Sequence, residues 1–139
     1  MLTIENAKEV VRKFADISTY EEMELLAAGL IFTTNPDDAQ LESVFWYNME
    51  RRLMTAVMAY VRFEMKDPKL ETVMDLFRSD KETLDVKFED VTDRDSAMVR
   101  DYELFRHYPE DTKQSIMTGI LVRLQVFSLR ELFETTAKA

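Results

Sequence analysis

His107 is the only histidine of the chain, and it follows Glu103 by four residues. Four residues are just over one helical turn, so both side chains would share a face and could hold a metal ion. The ExxH repeat of helical di-iron proteins is missing. The pair therefore reads better as a surface histidine beside a helix C-terminus, where partial positive charge is favourable. The chain has no cysteine, which excludes disulfides, thiolate nucleophiles and thiolate metal sites. Gly29 and Gly119 are its only glycines and lie 90 positions apart. Neither a Walker A loop nor a GxGxxG turn can be drawn from them. A serine–histidine pair would need a third residue and an oxyanion hole, and no nucleophile elbow announces one. The sequence thus predicts no catalytic residue, no metal and no cofactor.

Charged side chains are the remaining candidates. Asp and Glu outnumber Lys and Arg by 27 to 18, for a net charge of −9. Such a surface repels the DNA backbone as a whole, so any nucleic-acid contact needs a local basic patch. Arg51, Arg52 and Lys113 are the candidates for it, although ion pairing with nearby acids is the commoner use of such residues. The acidic run Asp85, Glu89, Asp90 and Asp93 is a candidate surface for a basic partner; the alternative is a solvated loop. Of nine methionines, Met49, Met54, Met58, Met74 and Met117 fall on or beside apolar stripes. That predicts core packing rather than an adaptable groove.

The elements that must position these residues are helices. Two glycines and three prolines in 139 residues leave too few turn-formers for an all-β chain. Ile4, Ala7, Val10, Val11 and Phe14 mark a first helix, with Thr3 as its N-cap. Ser18–Glu21 and Thr19–Glu22 are overlapping capping boxes for a second, which carries Met23, Leu26, Ala27, Leu30 and Ile31 and stops at Thr33-Thr34-Asn35-Pro36. A third, expected to be the longest and most central, runs from near Asp38 to about Met65. Its Phe45–Trp46 pair is expected to anchor the core with at least one ring buried. Asp67-Pro68 starts a fourth through Val73, Met74, Leu76 and Phe77. Residues 79 to 95 lack clear periodicity and read as a short helix or irregular loop, exposed and variable in shape. A helix from Asp93–Ser96 carries Ala97, Val99, Tyr102 and Phe105. Pro109 opens the next, with Ile116, Ile120, Leu121 and Leu124, and Ser128 caps a last one with Leu129, Leu132 and Phe133. No apolar run approaches the roughly 20 residues that span a bilayer, and residues 1 to 13 show no signal-peptide pattern. The expectation is one all-α domain over residues 1–139, a compact bundle of about six to eight helices around one long central helix.

Four blocks carry a resemblance. Val44 to Leu53 (VFWYNMERRL), Ala27 to Asn35, Leu70 to Arg78 (LETVMDLFR) and Thr112 to Phe127 (TKQSIMTGILVRLQVF) resemble, in order and spacing, segments of the all-α domain of TraG-like coupling proteins of conjugative type IV secretion systems. Asp111 stands where that family often has lysine, and neither Ser79–Ser96 nor residues 1 to 17 match its pattern. The resemblance implies an insertion within a membrane-anchored, RecA-like hexameric ATPase, with a fold similar to the N-terminal domain of tyrosine recombinases. It implies a cytoplasmic receptor for transfer substrates. The partners would be a relaxase, accessory relaxosome proteins or secreted substrates during plasmid DNA transfer. DNA contact by the excised domain would be weak, and the domain alone a monomer. A standalone helical adaptor and a carboxylate-type helical enzyme are the rival classes.

Overall fold

The computed structural model describes residues 7–34 and 44–137, and their side chains apart from 7, 8, 44, 81 and 129–137. Seven α-helices follow in chain order among these residues: α1 Ala7–Asp16, α2 Tyr20–Thr33, α3 Val44–Ala59, α4 Leu70–Arg78, α5 Lys81–Glu89, α6 Ala97–Arg106 and α7 Glu110–Ala137. No strand occurs among them, and the all-α expectation holds. The expected N-cap Thr3, the stop at Asn35-Pro36 and the start of the third helix near Asp38 lie outside the described residues.

α3 is central, packing against α2, α4, α6 and α7. Its residues Leu53 to Ala59 are all fully buried. A helix with no exposed face over two turns must be covered on every side, as its all-round apolar sequence requires. Thr55, the one polar residue in that run, donates its hydroxyl to the Arg51 carbonyl at 2.6 Å. α3 ends by widening into a π-helical turn, Tyr60–Glu64. Lys66 then takes a left-handed conformation at φ 55°, which reverses the chain toward α4. The five methionines expected in the core are there.

Local chemistry sets most boundaries. The Thr19 hydroxyl accepts the Glu22 N–H at 3.2 Å and so caps α2. Asp80 does the same for Thr83 at 2.8 Å, and Ser96 for Val99 at 3.3 Å. Each satisfies an N–H that a helix start leaves without a partner.

Two expected boundaries are corrected. α7 has 28 residues. It passes through Ser128 without a break, because no glycine or proline follows Gly119 and an exposed serine is tolerated inside a helix. α4 begins at Leu70, two residues after Pro68. Asp67 still supports that start, accepting from the Lys69 N–H at 2.8 Å and the Thr72 hydroxyl at 2.7 Å. Residues 79 to 95, read as a short helix or irregular loop, contain the short helix α5, and most of the stretch is exposed. Leu84 and Phe88 of α5, with Val91 just past its end, are nevertheless buried in the core. Leu84 and Phe88 are four apart, a helical spacing that Val86, itself 58% exposed, disguised as alternation.

Candidate functional site

The acidic candidates lie on α5 and the α5–α6 connection, and the fold divides them. Asp85 accepts the Tyr102 hydroxyl at 2.5 Å and lies 3.6 Å from Arg106. Glu89 pairs with Arg106 at 2.6 Å. Glu103 reaches the same guanidinium at 3.5 Å and Arg94 at 3.7 Å. Arg94 also donates to the Phe88 carbonyl. Tyr102 is fully buried and stacks on Phe88 with centroids 4.0 Å apart. Burial, then its bond to Asp85, holds the Tyr102 hydroxyl well above the usual tyrosine range. Asp85 and Glu89 are thus turned to Arg106 and join α5 to α6. Asp90 and Asp93 stay exposed in the connection, where Asp93 accepts the Asp95 N–H at 3.1 Å.

The basic candidates are not brought together. Arg51 faces α2, pairing with Glu24 at 3.0 Å and lying over the Tyr47 ring. Arg52 faces α6, 3.3 Å from Asp101. The second oxygen of Asp101 accepts the Tyr20 hydroxyl at 2.6 Å, and burial followed by that bond raises Tyr20 far above its ordinary value. Lys113 is buried at the start of α7, paired with Glu110 at 3.0 Å. All three cations meet acids, mostly across helices rather than one turn along the same helix.

His107 caps the C-terminal end of α6, 81% exposed and 3.9 Å from Glu103. Its neighbour Glu103 is already shared by two arginines. Among the described residues no group of three His, Cys, Asp or Glu side chains could hold a metal ion. A groove of about 300 Å³ opens between the α4–α5 turn and α7. Two of its charged groups are committed: Arg78 pairs with Asp75 at 3.3 Å, and Asp80 caps α5.

Two features escaped the sequence reading. The first is a buried ion pair. Glu50 is 7% exposed and meets Arg123 at 3.1 Å, and Arg123 also donates to the Ile31 carbonyl at 3.0 Å. This ties α2, α3 and α7 together. Gly119 makes room for it, since a Cβ there would collide with Glu50 Oε1. A glycine inside a helical pattern was the available signal.

The second is apolar surface. Phe45 and Trp46, expected to anchor the core, are 39% and 40% exposed. Their rings meet edge to face at 5.2 Å, and Phe45 touches Tyr108 at 5.5 Å. They sit in the first turn of α3, and burial of that helix begins only at Met49. Leu25 and Phe32 on α2 are 75% and 55% exposed. Comparisons with family models, with curated proteins and with solved structures find no match to this chain. No helix among the described residues is long and apolar enough to cross a membrane.

Proposed function

We propose that the chain is a helical protein-recognition module, and in its most specific form the substrate-receptor domain of a conjugative coupling protein. In that role it would act on the cytoplasmic side of a type IV secretion channel and bind a relaxase or an accessory relaxosome protein. One observation carries the reading. The Phe45–Trp46 pair stands exposed at the start of α3, inside one of the four sequence blocks that carry the resemblance to TraG-like proteins. Tryptophan at an exposed position offers a large apolar contact with a polar edge, the type of side chain that dominates binding energy at interfaces. The ion pairs of Arg51, Arg52 and Lys113 support the same choice, because a cation already held by a carboxylate is less available to phosphate.

The test is titration of the purified chain with a relaxase from a conjugative system. Binding that Trp46→Ala weakens tenfold or more, about 1.4 kcal/mol, at an unchanged melting temperature is the expected result. No binding, or binding indifferent to Trp46→Ala, overturns the receptor reading.

A further inference from the structure

A second surface, independent of Phe45 and Trp46, runs along α2. The inner face of this helix carries Met23, Leu26, Ala27, Leu30 and Ile31, all buried. Its outer face carries Leu25 and Phe32 beyond an acidic first turn of Glu21, Glu22 and Glu24. Leu25 and Phe32 are seven residues apart, which is two turns, so they lie on one line about 10 Å apart along the axis. Half-buried Ala28 and Gly29 lie between them. Large apolar side chains are ordinarily buried, yet Leu25 is 75% and Phe32 55% exposed.

Charge selects the occupant. Glu21 and Glu22 are exposed one turn before Leu25, followed by Glu24, and α2 contains no lysine or arginine. We propose that the outer face of α2 docks an amphipathic helix of a partner protein. That helix would carry apolar side chains at i, i+3 or i+4, and i+7 over Leu25 and Phe32, and lysine or arginine opposite the Glu21–Glu22 end. An amphipathic helix presents its anchors at this spacing, and complementary charge speeds encounter and fixes orientation. A second copy of the chain is a poor occupant, because each copy brings a charge of −9. Parallel pairing would set glutamates against glutamates. Antiparallel pairing would set them against the Phe32 end, where α2 offers no cation. Anionic lipid and DNA are repelled for the same reason.

The test uses the whole chain and two synthetic 18-residue helical peptides with the same leucine spacing, one with lysine and one with glutamate at the polar positions. The expected result is saturable binding of the lysine peptide, with backbone amide NMR shifts centred on α2. Leu25→Ser with Phe32→Ser should weaken it at least tenfold, and Glu21→Gln a few fold at low salt. Both apolar side chains are exposed, so the double variant should melt like the parent. If it does not, Leu25→Ala alone carries the comparison. Equal binding of the glutamate peptide, unchanged binding by the apolar variant, shifts centred elsewhere, or self-association of the chain through α2 would each overturn the proposal.

Discussion

Arg123 and Arg106 each join helices through carboxylates, and the two junctions differ in what surrounds them. Arg123 is 14% exposed, and its partner Glu50 lies in the packed region between α3 and α7. Arg106 is 31% exposed and spreads over Asp85, Glu89 and Glu103 on the flank of α5 and α6. More partners do not make the stronger junction. Water screens the Arg106 group and can replace any one of its bonds. Glu50 is 7% exposed, so removing one partner leaves a charge with little access to solvent. The contrast also explains Gly119, a residue that costs helix stability but leaves open the space that Glu50 Oε1 occupies.

The largest effect should fall on the buried junction. Arg123→Ala is expected to cost about 3–5 kcal/mol in urea unfolding, against about 1 kcal/mol or less for Arg106→Ala. Replacing both buried partners, Glu50→Gln with Arg123→Met, should cost less than Arg123→Ala alone. Equal losses at the two arginines would break the comparison.

Gly119→Ala sharpens it. Alone it should destabilise by about 1–3 kcal/mol through overpacking against Glu50. In a Glu50→Ala background the same change should stabilise by up to about 1 kcal/mol, the helix propensity of alanine over glycine. Absence of that sign reversal would mean that Gly119 has another role.

Tyr102→Phe probes the other junction. It keeps the stack on Phe88 and removes the bond to Asp85, which retains Arg106, so the loss should be about 1 kcal/mol. Thermal unfolding of the single variant checks this.

The smallest effects are those of pH. Tyr20 and Tyr102 are held above the ordinary tyrosine value, mainly by burial and then by Asp101 and Asp85. Their folded pKa is raised, so their contribution is complete below the unfolded value of about 10 and is lost as pH rises beyond it. Glu22, Asp67 and Asp80 are held below the carboxylate range, chiefly by hydroxyls of Thr19, Thr72 and Thr83. Their contribution is present above the ordinary value and is lost as pH falls through the lowered ones. Melting temperature against pH should fall at both ends, gently on the acid side because these three are exposed. Tyr20→Phe with Tyr102→Phe should flatten the alkaline arm alone.

The all-α class, the caps at Thr19 and Ser96, and the buried stripes of α2, α4 and α6 were legible in the sequence. Caps and periodicity depend on residues within a turn or two, and the chain states those directly. The apolar class of Phe45, Trp46, Leu25 and Phe32 was legible too, but their exposure was not. Burial depends on which neighbour arrives: Tyr108 covers Phe45 only in part, and Leu25 stays largely exposed. The partners of the candidate charges were legible only in part. Arg106, which meets Asp85 and Glu89, is 17 or more positions away and could not be named. Pairing of the cations with acids was expected; Lys113 finds Glu110 within a turn of its own helix, while Arg51 finds Glu24 on another helix. Glu50 and Arg123 lie 73 residues apart, and only the packing of α3 on α7 made them a pair. Local chemistry determined where helices begin and which residue types they carry; which charges are spent inside the fold and which apolar side chains stay exposed was decided when the helices met.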